Sequence, residues 1–146
     1  MSDLRQITDS FWASPQIGLA EVEEARARGF ALIVNNRPEG ESDDQIAGSE
    51  IEAAARAAGM DYLAIPVTHA GFSEEQVTAM AEALGTATAP VLAYCRSGTR
   101  STLLWSLAQA QRGRDVDAIA ADAARGGYDV APIRALLEML AARRPL

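Results

Sequence analysis

The chain reads as a single α/β domain of three layers: a mostly parallel central sheet with helices on both faces, spanning residues 1–146. Three observations predict it. Stretches of strand length alternate with stretches of helical period. Three of the strand-length runs, "FALIVNN", "DYLAIPV" and "APVLAY", are compact and apolar, as in strands buried on both faces. No link between elements is long enough to be a domain boundary, and 146 residues suffice to bury a real core.

Taken in order, the region from Ile7 to Ser14 predicts one or two short strands, with Trp12 packing near the edge ahead of Pro15. "GLAEVEEARARG" places Leu19, Val22 and Ala25 at helical spacing and stops at Gly29. The first buried strand, "FALIVNN", runs into the polar loop "NNRPEGES". Asn36 and Arg37 there line the pocket or form the turn, the turn being the plainer reading, and Asp43 and Asp44 read as solvated. "SEIEAAARAAG" is a helix ending at Gly59, and "DYLAIPV" is the second buried strand. "SEEQ" from Ser73 to Gln76 has the form of a capping box and opens a helix to about Leu84. "APVLAY" is the third buried strand. Helices follow from Ser101 to Arg112, stopped by Gly113, from Asp115 to Arg125, and from about Pro132 to Arg143. Trp105 falls on the core side of the first of these. In such a sheet the working site lies beyond the carboxyl ends of the strands. The loops beginning at Asn35, Thr68 and Cys95 are therefore expected on one rim.

Composition narrows the function. The net charge of −7 argues against non-specific binding to nucleic acid or to anionic membranes. All thirteen basic residues are Arg, which together with the abundance of Ala points to codon bias rather than function. A single Cys rules out an internal disulfide, a resolving cysteine and a multi-Cys metal site, and with one His a zinc site is not expected. The N-terminal "MSDLRQITDS" lacks an apolar signal-peptide core and no run reaches membrane-spanning length, so a cytoplasmic protein without organic cofactor is the expectation.

The chemistry is concentrated in "AYCRSGTRSTLLW", residues 93–105. Cys95 falls where a strand ends and Ser101 where a helix begins. The amides of Arg96, Ser97, Gly98, Thr99 and Arg100 are expected to curl around one point, joined by the positive end of the helix dipole. Gly98 supplies the positive φ that a tight nest of amides needs. Arg100 offers a planar fork for an oxyanion, and Arg96 adds charge at the mouth. A free cysteine titrates near roughly 8.5, and such surroundings bring thiols to about 3.5–7.5. Cys95 is therefore expected as a thiolate nucleophile in an anion cradle, against the bland alternative of a buried small hydrophobe.

"NNRPEGES", "YLAIPVT" and "PVLAYCRSGTRS" resemble the phosphatase-like domain of the beta-lactamase hydrolase-like protein family, over residues 7–140. The resemblance implies a fold like that of dual-specificity, cysteine-dependent phosphatases. Family members also occur fused to metallo-β-lactamase-fold domains, so it implies a persulfide-dioxygenase-type partner. Cysteine phosphatases carry C-x-x-G-x-x-R-[ST]; here Arg100 arrives one residue early. "CRSGTRS" is similar instead to single-domain rhodanese loops, which carry a persulfide. The general-acid Asp of dual-specificity phosphatases is also missing: "THAGFSEE" places Thr68 and His69 there, and Glu74 and Glu75 suit the first turn of the next helix. His69 is a rim acid, a substrate-orienting group or simply an exposed loop residue.

These departures favour a sulfurtransferase. Cys95 takes sulfane sulfur from a small anionic donor and passes it to an external thiol acceptor, with Arg100 holding the anion and Ser101 stabilising the thiolate or capping the helix. The alternative is a phosphatase working through a Cys95 phosphothioester. A third reading is a non-catalytic anion-binding module.

Overall fold

The computed structural model describes residues 3–143. The single domain expected over 1–146 thus includes two ends, 1–2 and 144–146, that lie outside the described residues. Five strands form one sheet: β1 (Arg5–Gln6), β2 (Phe11–Ser14), β3 (Leu32–Asn35), β4 (Asp61–Ala64) and β5 (Val91–Tyr94). Their order is β1-β2-β5-β3-β4, and only β1 runs antiparallel. The helices are α1 (Leu19–Ala27), α2 (Gly48–Ala57), α3 (Glu74–Thr86), α4 (Thr99–Gln111), α5 (Val116–Arg125) and α6 (Arg134–Ala142), with a 3₁₀ turn at Ala131–Ile133 leading into α6. The α/β class, the mostly parallel sheet and the order of elements agree with the sequence.

Register sets the position of the site. Tyr94 pairs with Ser14 on one side and Asn35 on the other, and Asn35 pairs with Ala64. The parallel strands therefore end level, and the chain leaves all of them on the same rim.

Strand alternation divides the core in two. Ile33, Leu92 and Tyr94 point into the layer that α1 and α2 cover with Val22 and Ile51, joined by Ile17 and Phe30 from the segments flanking α1. Val34, Val91 and Ala93 point into the larger core beneath the remaining helices. Helix α4 lies in the middle of that layer, against α3, α5 and α6. Its buried residues, Ser101 to Ala108 and Ala110, leave no polar face, as expected of a central helix. Trp105 is buried and stacked on Phe11, whereas Trp12 is half-buried and meets Phe30 edge-on. Two expectations change. β4 is an edge strand with exposed ends, not one buried on both faces; its apolar sequence serves one face and one neighbour. α4 begins at Thr99, two residues before Ser101.

Candidate active site

Cys95 follows β5 and its N–H donates to Ser14 O at 3.3 Å, so the turn begins anchored to the neighbouring strand. The residue is completely buried. Three residues on, Gly98 adopts φ +91° and forms the N-cap of α4. This left-handed conformation folds the turn back so that the Gly98 N–H donates to Cys95 Sγ at 3.0 Å. Within the turn, Thr99 N–H donates to Ser97 Oγ, while the amides of Arg96, Ser97 and Arg100 have no acceptor among the described residues. The side chains of Arg96, Ser97 and Thr99 face solvent.

Arg100 is held by three donations. Its Nη1 donates to Glu41 Oε2 at 2.7 Å and to Val67 O at 2.6 Å, and its Nη2 donates to Glu41 Oε1 at 2.9 Å. A guanidinium has five N–H bonds. Those remaining are Nε–H and the second Nη2–H, the two parallel donors of its side edge, which match a carboxylate, phosphate or sulfate-like oxyanion. The Glu41 carboxylate, and after it the Cys95 sulfur, hold the cation charged above its ordinary range against the opposing effect of burial.

Glu41 is shared. Arg37 Nε donates to its Oε1 at 2.9 Å, and Arg37 also donates to Gln16 Oε1 and Ser42 Oγ. The Gln16 N–H in turn donates to Arg96 O. Hydrogen bonds from Arg100 first, then from Arg37, lower the Glu41 carboxyl from an ordinary 4.5 to about 2. It is ionised near neutrality and does not serve as a proton donor. The loops after β3, β4 and β5 thus meet at Arg100, as the strand ends require. Arg37 and Asn36 are buried structural residues rather than turn residues, while Asp43 and Asp44 are exposed as expected.

Ser101 lies inside the first turn of α4, buried, and its Oγ has no hydrogen-bond partner; it does not cap the helix, because the backbone of Gly98 occupies that place. His69 sits exposed on the turn after β4. Sequence reasoning missed Glu41, Gln16 and Tyr128. Tyr128, after α5, donates its hydroxyl to Ser97 O at 3.2 Å. The legible signal for Glu41 was its i, i+4 spacing from Arg37 on the same rim loop; nothing in the sequence signals Tyr128. Among the described residues no group of His, Cys, Asp and Glu could hold a metal ion, and no helix is long and apolar enough to cross a membrane.

Residues 3–112 match the model of the beta-lactamase hydrolase-like protein, phosphatase-like domain. The chain belongs to that family. A beta-lactamase hydrolase-like protein of Agrobacterium fabrum is 36% identical over 109 residues, which is 75% of this chain and 25% of that protein. One from Xylella fastidiosa (strain 9a5c) is 34% identical over 119 residues, 81% of this chain and 28% of that one. The chain therefore spans about a quarter of the length of these relatives. The crystal structure of a candidate phosphatase from Neisseria meningitidis superposes with a TM-score of 0.82 at 30% identity, covering 96% of this chain and 99% of that one. P. aeruginosa TpbA, crystallised with phosphotyrosine in a cysteine-to-serine form, shares the fold at a TM-score of 0.63 and 15% identity, covering 97% of this chain and 91% of its own. These comparisons favour the phosphatase-like expectation over the sulfur-transfer one.

Proposed function

We propose that this domain is a phosphatase-like hydrolase with Cys95 as nucleophile, acting on phosphate monoesters with good leaving groups, aryl phosphates foremost. The observation that carries the reading is the Gly98 N–H donating to Cys95 Sγ at 3.0 Å in a turn whose Arg100 keeps two N–H donors that no protein oxygen accepts among the described residues. The thiolate attacks phosphorus; the S–P bond forms as the P–O ester bond breaks, and the phenoxide leaves with the bonding pair. Arg100 and the amides of the turn hold the non-bridging oxygens, whose charge they balance best in the transition state. Water then attacks the phosphothioester, releasing inorganic phosphate and regenerating the thiolate. Ser101, buried and unpartnered, is the hydroxyl available to stabilise the departing sulfur. The family and the phosphotyrosine complex of a protein with this fold support the substrate class.

The preference for good leaving groups follows from the loop after β4. A positioned acid contributes roughly 10²–10⁴-fold. The stretch from Thr68 to Ser73 contains no carboxylate, Glu41 is too acidic to donate, and His69 is exposed.

The same gap, with the four-residue spacing between Cys95 and Arg100, supports a second reading. In it the thiolate attacks the outer sulfur of thiosulfate, the S–S bond breaks, sulfite leaves, and an external thiol collects the sulfur from the persulfide. Sulfite needs no proton to depart. Parallel assays of aryl phosphate hydrolysis and of thiocyanate formation from thiosulfate and cyanide separate the two. Phosphate release that vanishes in Cys95→Ser is the expected result. Cysteine-dependent thiocyanate formation without hydrolysis overturns it in favour of the second reading. Loss of neither activity in Cys95→Ser leaves only an anion-binding module.

A further inference from the structure

The turn that carries Cys95 is braced by a residue beyond 3–112, the stretch that the family model matches. Helix α5 is capped by Gly126, and Gly127, at φ +90°, reverses the chain so that Tyr128 N–H returns to Ala123 O at 3.0 Å. This sends the Tyr128 ring under the Cys95 turn, where it is buried. The Arg5 guanidinium lies over the ring, 5.3 Å from its centroid. The fit is close: a Cβ at Gly98 would overlap the Tyr128 hydroxyl and come within 3.2 Å of the Ser14 backbone. Burial raises the phenol above its ordinary value, so it remains a donor at neutral pH.

The two ends of one peptide group then matter. Ser97 O and Gly98 N–H belong to the same amide, and no cis bond occurs among the described residues. A planar trans amide points its oxygen and its hydrogen in opposite directions. Tyr128 donates to the oxygen at 3.2 Å, and the hydrogen is directed at Cys95 Sγ with N···S at 3.0 Å. Rotating that plane would break both bonds together. Donation to a carbonyl also strengthens the N–H on the far side as a donor, by about 10–30%.

We propose that Tyr128 is a positioning residue for the Cys95 thiolate, acting through the Ser97–Gly98 peptide plane. The proposal rests on Cys95 being the nucleophile. The charged and titratable groups around the sulfur are Arg100 from α4, Tyr128 from the turn after α5, Glu41 and Arg37 behind Arg100, and Arg96 on the exposed side. Tyr128→Phe removes one hydroxyl and keeps the ring beneath the Arg5 guanidinium.

Because Cys95 is the only cysteine, iodoacetamide consumption reports on it alone. Alkylation rates across pH 5–10 are measured for wild type, Tyr128→Phe and Tyr62→Phe, the last removing a phenol that bonds Asn35 rather than the turn. Wild type is expected to react faster at pH 6 than N-acetylcysteine. Tyr128→Phe should be about 3- to 10-fold slower than wild type at pH 6, the range of one hydrogen bond. Its curve should rejoin the wild type near pH 10, while Tyr62→Phe follows the wild type throughout. Site-specific 3-fluorotyrosine at 128, a stronger donor of nearly the same size, should raise the low-pH rate, and it tests the idea even if the phenylalanine variant folds poorly. A wild type that is fast at pH 6 with a superimposable Tyr128→Phe curve overturns the role of Tyr128 and leaves the nucleophile intact. So does an equal slowing at every pH, which would mean loosened packing. A wild type no faster than N-acetylcysteine overturns the nucleophile and Tyr128 together.

Discussion

Glu41 shows how a loop residue becomes part of a site. In the sequence it is one acid in "NNRPEGES", and such residues are ordinarily solvated. Folding places it between two arginines, one four residues away on the same loop and one on α4, with side-chain exposures of only 4% for Arg37 and 14% for Arg100. The place of Cys95 at a strand end and the left-handed backbone of Gly98 were legible because they follow from local order along the chain; the bond from Arg100 to Glu41 was not, because the two are distant in sequence. With both arginines charged and Glu41 ionised, the cluster keeps one net positive charge. The Glu41 carboxyl is lowered from 4.5 to about 2 in the folded protein. A depressed carboxyl contributes stability above its unfolded value and loses it as pH falls through the folded one. Glu41→Gln should therefore be less stable than wild type at pH 6, near the lower end of the ~3–5 kcal/mol that follows breaking a buried ion pair. The difference should shrink below pH 4.5 toward about 2. Urea midpoints of both proteins at pH 6, 4 and 2.5 check this; a constant difference would mean that the carboxylate charge is not what holds the arginines.

At the scale of elements, periodicity and punctuation located β2 to β5 and the six helices, because the apolar runs and stop glycines act locally, whereas β1 at Arg5–Gln6 lies ahead of the Ile7–Ser14 stretch read as strand. The start of α4 was misplaced for an instructive reason. Serine is a preferred N-cap, so Ser101 reads as the beginning. The turn instead spends a left-handed glycine as the cap, which lets its amide reach the sulfur and draws Ser101 into the helix. Competition between a side-chain cap and a backbone ligand is not visible in a one-dimensional pattern, and neither is the Tyr128 ring that fills the space beside Gly98. Gly98→Ala should therefore combine two penalties: the ~1–2 kcal/mol of a Cβ in left-handed backbone and its overlap with the Tyr128 hydroxyl. Tyr128→Phe removes the overlap with the hydroxyl, leaving the Cζ contact at 3.0 Å and the backbone strain in place. In a double-mutant cycle by chemical denaturation, the combined variant is expected to be more stable than the sum of the two singles by about 0.5–3 kcal/mol, the usual range for residues in contact. Additive losses would show that backbone strain alone accounts for the glycine.

At the scale of the molecule, the site and its surroundings carry opposite signs. Arg37, Arg96 and Arg100 gather on the rim where the parallel strands end, yet the whole chain carries −7. Which sign an approaching anion feels depends on the screening length. At about 10 mM ionic strength the Debye length is about 30 Å, and at about 150 mM it is about 8 Å. A chain of this length has a radius of gyration of roughly 15 Å. Under weak screening the anion therefore senses the net negative charge at long range, and under strong screening it senses only the arginines it is about to touch. Adding NaCl between those limits should raise kcat/KM for an anionic substrate, the reverse of the usual fall for electrostatically steered binding. Sodium sulfate at matched ionic strength should lower it, since a tetrahedral dianion competes for the Arg100 side edge and the amides of the turn. The two salts separate the global field from the local cradle. A fall in both would mean that the rim arginines outweigh the molecular charge at every distance, and a rise in both that the turn after β5 does not hold tetrahedral anions.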